Sequence, residues 1–302
     1  MKKNNDQKTI LSIIVSYNFM PWIDRCLPSL LGSSQLTDIL VVDNASTDET
    51  ISTIHERYQQ VRLIANKHNL GFGAANNIGI RIAMDEGYDG VLLINQDAWL
   101  APGALHQLME VSLQHPEFGI ISPIHMTGNG SELDPGFATY ISKKVVKMGY
   151  SQSSILNCQF INAAIWFIPI TVIKEVGLFA PLFYHYGEDK DYVNRLQYHG
   201  YQIGYVPTAL GYHDRAQRPF NRTIYLRTEK VYHLSEYANI NYHFAKAFAM
   251  GVLAPVKKAL QAMTKGKWKD FSAFLDISLQ LLGKSLLVII ARKKAKFSSI
   301  NT

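Results

Sequence analysis

The sequence predicts an α/β fold with a mostly parallel central sheet, helices on both faces and a helical C-terminal extension. Three observations predict it. Over the first hundred or so residues, short and nearly unbroken apolar runs alternate with amphipathic stretches, the pattern of strands covered on both faces by crossover helices. Polar residues collect just past each apolar run, where open α/β sheets hold their ligands. Beyond about residue 228 strand-like runs cease, and apolar residues recur at helical spacing.

The elements follow in order. Residues 9–16 form a β-branched apolar run, read as the first strand. Met1-Lys2-Lys3 ahead of it faintly imitates a secretory leader. The apolar core is short, runs into Ser16-Tyr17-Asn18 and has no small-residue cleavage site after it. A cytoplasmic protein is therefore expected. Residues 21–27 read as a helix with Pro21 at its first turn. Residues 38–43 form a buried strand, and Ser46-Thr47-Asp48-Glu49 caps a helix reaching about Tyr58. Residues 61–65 are a third strand, followed by a glycine-containing turn and a helix over 74–85. Residues 90–94 are a fourth strand, with a helix over 102–113 after it.

The chain of 302 residues is 47% hydrophobic and 18% charged, enough for one large domain or one domain with an appendage. We expect a catalytic domain over 1–227, with halves 9–115 and 116–227, and an extension over 228–302. Cys26 and Cys158 are too few for a disulfide framework and lack metal-ligand spacing, so both are expected as buried thiols of a reducing compartment. The net charge of +6 is uneven. From Ala254 onward ten Lys/Arg face only Asp270 and Asp276, giving +8, while the preceding 253 residues carry 20 basic and 22 acidic side chains, giving −2. A basic end on a near-neutral body argues against nucleic-acid binding and for one end meeting an anionic surface.

Two sets of residues are candidates for chemistry. At the strand ends stand Ser16, Tyr17 and Asn18, then Asp43 and Asn44, then 66–69, then Asn95, Gln96 and Asp97. Each alone is an ordinary turn residue; together they suggest a binding cleft. It is no dinucleotide site, because the first turn has no glycines and Gly71-x-Gly73 lacks the third glycine; no Walker loop occurs. The second set is Glu188, Asp189 and Asp191, crowded into four positions after an apolar run. Crowding raises the pKa of at least one member. The segment is either an acidic helix start favoured by the helix dipole or a general base at a cleft mouth.

Five ordered motifs carry a resemblance over about residues 9–230: Ile13-Ile-Val-Ser-Tyr-Asn18, Val41-Val-Asp-Asn-Ala-Ser-Thr-Asp48, Asn69-Leu-Gly-Phe-Gly-Ala-Ala-Asn-Asn-Ile-Gly79, Leu92-Leu-Ile-Asn-Gln-Asp97 and Tyr186-Gly-Glu-Asp-Lys-Asp191. Gly200-Tyr-Gln-Ile-Gly-Tyr-Val-Pro207 and Gly211-Tyr-His213 extend it. The chain resembles family 2 glycosyltransferases, and within them the rhamnosyltransferase-like branch of bacterial surface-polysaccharide synthesis. The resemblance implies a GT-A fold, a nucleotide-diphosphate sugar donor linked to UDP or dTDP, a divalent Mg2+ or Mn2+, and inversion at the anomeric carbon. It implies a hydroxyl acceptor on a glycan or a polyprenyl-diphosphate-linked sugar.

By that resemblance Asp97 matches the metal-binding Asp-x-Asp element, whose first position is Asn95 here, and His213 matches a position that completes the metal shell in some members. Asp43 matches the residue that hydrogen-bonds the base, a carboxylate suiting the imide N–H of uracil or thymine. Ser16, Tyr17 and Asn18 line the same pocket, and Asn44, Asn69, Gly71, Asn76, Asn95 and Gln96 complete the expected nucleotide-sugar set. Asp189 matches the general base and is preferred to Asp191; Glu188 and Asp191 tune it or hold acceptor hydroxyls. A polyprenyl-phosphate sugar synthase and a non-catalytic nucleotide-sugar binder remain as alternatives.

Gly128-Asn-Gly-Ser131 and Asp134-Pro-Gly136 signal turns, with a hairpin as one option. Residues 157–168 read as one strand crossing under the acceptor site. Arg215, Arg218 and Arg222 form a loop that either closes over a diphosphate or stays solvated, and Arg227 lies in a segment resembling an Arg-bearing stretch of the rhamnosyltransferase-like branch. Residues 231–250 are expected as a helix. Residues 271–291 are apolar but broken by Asp276, Gln280, Gly283 and Lys284, each ionisable group costing ~2.5–3.5 kcal/mol at mid-membrane. An interfacial helix at the inner face of the cell membrane is expected, with Trp268 and Phe271 toward acyl chains and the lysines toward anionic headgroups. A helical hairpin mediating homo-oligomer contact is the alternative.

Overall fold

The structure, a computed structural model, describes residues 9–141, 154–215 and 221–297. Its strands are β1 (Ile10–Ser16), β2 (Asp38–Asp43), β3 (Arg62–Ala65), β4 (Gly90–Asn95), β5 (Ala98–Leu100), β6 (Phe118–Thr127), β7 (Leu156–Cys158), β8 (Ile165–Pro169) and β9 (Gln202–His213). They form one sheet in the order β3-β2-β1-β4-β8-β6-β9-β5, with β7 also on β9. β3, β2, β1 and β4 are parallel neighbours, and β6 and β9 pair parallel. β8 runs antiparallel between β4 and β6, while β5 and β7 pair antiparallel with β9. The predicted α/β architecture is thus present, and its four N-terminal strands lie within a residue of their expected bounds.

Helices α1 (Ile23–Leu31), α2 (Thr50–Arg57), α3 (Phe72–Asp85) and α4 (Ala104–Gln114) link these strands. α2 starts later than the Ser46 cap predicted, because the Asp48 carboxylate accepts from Thr50 N at 3.1 Å and so closes the entry one turn on. α3 lies close enough on β1 that a Cβ at Gly79 would stand 2.7 Å from Ile13 Cγ2; a larger residue there would push helix and strand apart. Ile14, Val41, Leu92, Ile121 and Phe167 from the sheet bury themselves with Leu27, Leu105 and Leu108 from the helices. This core holds the strand ends in place.

The single strand expected over 157–168 is two. β7 pairs with β9 and β8 pairs with β4 and β6, and between them the chain turns, with Ala164 N bonded to Asn162 O at 2.8 Å. An unbroken apolar run marks burial, not direction, so it hides a change of partner. Of the two cysteines Cys26 is buried as expected, but Cys158 is only half-buried.

Contacts divide the chain into two compact units, Met1–Lys174 with Gly200–Ala216, and Glu175–His199 with Gln217–Thr302. The expectation was a linear division at 227; in the contact pattern the acidic segment after 175 groups with the C-terminal helices. The short α5 (Pro135–Tyr140) lies in the first unit, and α6 (Ile170–Val176) runs to its boundary. The second unit contains α7 (Glu188–Tyr198), α8 (Arg222–Ala238), α9 (Phe244–Phe248), a π-helical turn (Ala249–Leu253), α10 (Ala254–Thr264), α11 (Trp268–Gly283) and α12 (Ser285–Lys296). The helix expected over 231–250 is interrupted after Ala238. Buried Arg292 donates from Nη1 to Asn239 O, at the C-cap of α8, and from Nη2 to Tyr242 O at 2.6 Å in the turn beyond it, satisfying carbonyls at and just past the helix end. Phe183, Leu234, Tyr237, Phe274, Ile277 and Leu281 form this unit's own core.

Candidate active site

At the strand ends of the first unit the polar residues bond one another and the neighbouring backbone. Asn44 N bonds Ser16 O at 2.8 Å, and Asp43 accepts from Ser16 Oγ at 2.7 Å, Ser46 N at 2.8 Å and Ser46 Oγ. Asp43 is fully buried, so its carboxylate organises the two serines and presents no open edge. Asn18 adopts a left-handed backbone (φ 55°) and accepts from Thr47 N at 2.9 Å. Tyr17 exchanges two hydrogen bonds with Gln96, from Tyr17 N to Oε1 at 2.8 Å and from Nε2 to Tyr17 O at 3.1 Å, leaving its ring half exposed. Asn44 Oδ1 accepts from Asn66 Nδ2 and Leu70 N, and Asn44 Nδ2 donates to Gly71 O. Asn69 accepts from Gly71 N at 2.8 Å. Asn76 is buried and donates to Phe72 O one turn back, a bond internal to α3. Asn95 ends β4, its N bonded to Ala164 O.

Asp97 and His213 come together because β5 pairs with the end of β9, Ala98 opposite His213, with Asp214 N bonded to Asp97 O at 2.8 Å. His213 Nε2 lies 3.5 Å from Asp97 Oδ1. On its other side Nδ1 lies 3.4 Å from Oδ2 of Asp134, a residue with no exposure at all. Asp134 caps α5 by accepting from Phe137 N at 2.8 Å through Oδ1, which turns Oδ2 toward the imidazole. Neither Oδ2 nor Nδ1 has a well-aligned hydrogen-bond partner among the described residues. Burial opposes a charge on His213, yet the two flanking carboxylates outweigh it and hold the imidazole up at about 9. Burial and the neighbouring His213 drive His125 down to about 3; its Nε2 meets Ser122 Oγ at 2.8 Å. A cavity of about 330 Å³ opens here, lined among others by Thr127, Asn129, Asp134, His213 and Arg215.

Asp134 and His125 were not among the residues singled out from the sequence. Asp134-Pro-Gly136 reads as a turn, and a turn aspartate carries no mark of facing a histidine 79 positions on. The one available signal was Asp ahead of Pro, the pattern of an N-cap with proline at the first helical position. Gly128–Ser131 does turn, joining an isolated antiparallel bridge between Met126 and Leu133, so the hairpin option holds in miniature.

In the second unit, Tyr186 (φ 70°) and Gly187 (φ 90°) are left-handed in succession and aim the start of α7. A Cβ at Gly187 would stand 2.6 Å from Val231 Cγ1. Holding a tyrosine in that conformation costs ~1–3 kcal/mol, a load typical of functional segments. Its ring stacks under Arg227, whose guanidinium carbon lies 5.1 Å from the centroid. Glu188 is buried and its Oε2 has no hydrogen-bond partner among the described residues; burial, with the Asp189 charge beside it, pushes its carboxyl up to about 7 against the pull of Arg227. Asp189 is half-buried at the N-terminal turn of α7, accepting from Lys190 N at 2.7 Å. Asp191 is buried against Arg195, Oδ2 to Nε 2.9 Å, and Arg195 also donates to Val176 O and Leu178 O. Burial raises the pKa of Asp191 despite that partner. One carboxylate of the three therefore braces the loop before α7, one stays protonated near neutrality, and Asp189 keeps exposure.

Of the expected arginine loop, Arg218 lies outside the described residues. Arg215 lines the cavity, whereas Arg222 donates to Asp270 at 2.8 Å and to Lys269 O and so ties α8 to α11.

The family model for glycosyl transferase family 2 matches residues 12–164, the stretch that builds the β1–β4 strand ends and Asp97. The chain belongs to glycosyl transferase family 2. A model of glycosyl transferase family group 2 matches residues 90–252. The N-acetylglucosaminyl-diphospho-decaprenol L-rhamnosyltransferase of Mycobacterium tuberculosis is 26% identical over 231 residues, covering 68% of this chain and 75% of the relative. S. aureus TarS 1-349 in complex with UDP shares the fold with a TM-score of 0.57 at 13% identity, over 95% of this chain and 88% of that one. The mannosyltransferase PcManGT of Pyrobaculum calidifontis, solved with GDP-Man and Mn2+, does so at 0.54 and 16%, over 96% and 74%. This family 2 glycosyltransferase thus has the GT-A fold that its motifs imply.

Does the Asp97 region suit a divalent cation? Among the described residues no three His, Cys, Asp or Glu side chains converge on one point. Asp97 and His213 do offer an oxygen and a nitrogen 3.5 Å apart, close to the ~3 Å between neighbouring ligands of one octahedral ion, and the ion would have to displace the proton that the two carboxylates hold on His213. Two protein donors leave positions for diphosphate oxygens and water, the usual arrangement where a metal is held jointly by enzyme and nucleotide.

Proposed function

We propose that this family 2 glycosyltransferase moves rhamnose or a similar hexose from a UDP- or dTDP-linked donor to a hydroxyl of a glycan or polyprenyl-diphosphate-linked acceptor, with inversion. The observation that carries it is the Asp97–His213 pair at the end of a strand set whose other ends, at Tyr17, Asn18, Asn44 and Gln96, are polar and ordered. The M. tuberculosis relative, named for a decaprenyl-diphosphate-linked acceptor and L-rhamnose, supports the choice of sugar and acceptor. Structures of the same fold holding UDP, and GDP-Man with Mn2+, support a nucleotide donor.

Tyr17, Asn18, Asn44, Asn69, Gly71 and Gln96 bind the nucleotide side, with Asp43 fixing Ser16 and Ser46 beneath it; Asn76 supports the start of α3, and Asn95 delivers Asp97. Asp97 and His213 would hold Mg2+ or Mn2+, which offsets negative charge on the departing diphosphate. Asp189 accepts the proton of the acceptor hydroxyl as its oxygen bonds to the anomeric carbon and the bond from that carbon to the diphosphate oxygen breaks. Displacement from the opposite face inverts the centre. Glu188, protonated below about pH 7, donates a hydrogen bond to the acceptor, and Asp191 positions the segment through Arg195.

Thermal-shift screening of UDP-, dTDP- and GDP-sugars with and without Mn2+ identifies the donor. Asp189→Asn then abolishes transfer to a short-chain polyprenyl-diphosphate N-acetylglucosamine while nucleotide affinity stays within about twofold, general base catalysis being worth roughly 10²–10⁴. Transfer by that variant at the parent rate removes Asp189 from the role.

A further inference from the structure

We propose that the outer face of α11 and α12 is a docking surface for an anionic phospholipid bilayer. Both helices are already spent on one side: Phe274, Ile277 and Leu281 of α11 and Val288 of α12 are buried in the core of the second unit. A helix that has packed its apolar stripe normally shows polar residues outward. These do not. On α11, Trp268, Leu279 and Leu282 are exposed, 64%, 59% and 47%; spacings of 11 and 14 residues put them within about 40° of one line along the helix. Leu286 and Ile290 on α12, with Phe297 at its C-cap, repeat the arrangement, with exposures from 43% to 81% and spacings from Leu286 of four and eleven.

The basic residues decide what covers this stripe. Lys265, Lys267 and Lys269 surround Trp268 at the start of α11, and Lys293 and Lys294 follow Ile290 on α12; all five are exposed. The region carries +8 from Ala254 onward, and Asp270 is taken up by Arg222. A second copy seated on the same face would bring two such basic surfaces together, which is repulsive. Anionic headgroups meet the lysines while the leucines and Trp268 reach the acyl boundary, the two contributions of an interfacial helix.

The helices lie on the bilayer and do not cross it. Among the described residues no single helix is long and apolar enough to span; α11 and α12 together pass by length and composition but bend by 57° at the break. α11 is 16 residues, roughly 24 Å, and α12 is 12 residues, roughly 18 Å, each short of a ~30 Å hydrocarbon core. Crossing would also strip α11 of the core contacts it makes. This inference stands on the helices alone and holds whatever sugar or acceptor the enzyme uses.

The test is sedimentation of the full chain with vesicles of POPC containing 30% POPG, or of POPC alone, at about 0.1 M and about 0.5 M NaCl. Expected are binding to the POPG vesicles at low salt, at least about tenfold weaker binding to POPC, and loss at high salt. Two variants that leave the core untouched, Leu279→Glu/Leu286→Glu and Lys293→Glu/Lys294→Glu, each weaken binding at least about tenfold at an unchanged melting temperature. Either folded variant binding like the parent overturns the proposal, as does equal binding to both vesicle types. A parent dimer in solution that Leu279→Glu/Leu286→Glu converts to monomer assigns the face to a second copy instead. Failure of donor binding in the screen above leaves these results unaffected, so the two proposals fail separately.

Discussion

The β5–β9 junction and the start of α7 both gather acidic side chains, and they treat them in opposite ways. At the junction, Asp97 and Asp134 flank one imidazole and hold a positive charge there to about pH 9. At α7, Asp191 has Arg195, but Glu188 is buried with no ion pair among the described residues and stays protonated to about pH 7 against the pull of Arg227. Equal residue types therefore arrive at opposite ionisation, because pairing and desolvation act with opposite sign on a carboxyl group. The first arrangement suits holding charged groups in place and the second suits handling a proton.

The contrast can be broken at its strongest point first. Asp97→Ala removes the half-buried carboxylate of the junction, and transfer is expected to fall by about 10³ or more, with Mn2+ no longer raising nucleotide affinity. An unchanged metal effect in a calorimetric titration would separate Asp97 from the cation. The α7 side is tested by Glu188→Gln through stability. A carboxyl whose folded pKa is raised from 4.5 to about 7 favours folding fully below its unfolded pKa, and that contribution is lost as pH rises through about 7. Relative to the parent, the glutamine variant should therefore gain stability from about pH 4.5 upward and level off above about pH 7, by on the order of 2–3 kcal/mol. Parallel melting curves for the two proteins from pH 4 to 9 would mean that Glu188 is not held neutral. The smallest effect is at Asp134. Asp134→Asn keeps the Oδ1 cap on Phe137 but removes the charge beside Nδ1, so His213 should titrate lower by NMR and Mn2+-dependent donor affinity fall about tenfold. A His213 titration equal to the parent's would leave Asp134 with only its helix cap.

Strands β1 to β4 and helices α1 to α4 were legible because each is a local pattern, an apolar run or an amphipathic repeat closed by a polar end. The Asp97–His213 pair was legible only through motif order. Its physical origin, β5 folding back on β9, is a pairing between segments more than a hundred residues apart, and β5 is three residues long. Asp134 was invisible for the same reason. Residues 157–168 misled because burial on both faces looks the same in one strand as in two. The acidic segment was visible as a cluster, but not the division of labour within it: that Asp191 would be tied to Arg195 four residues on is ordinary helix spacing, while the burial of Glu188 is set by tertiary packing that no local pattern encodes.

The exchange between Gln96 and Tyr17 has a consequence of its own. β1 and β4 pair in register up to Val15 opposite Asn95, and one position further a side-chain amide stands in for the missing peptide group. It supplies both a donor and an acceptor to a main chain, and so acts as a counterfeit rung that extends the β1–β4 link by one position at the strand ends. A carboxylate at 96 could fill only half of that part and would push against the Tyr17 carbonyl. The link between Tyr17 and position 96 would then be lost while the β1–β4 pairing up to Val15 and Asn95 stays intact.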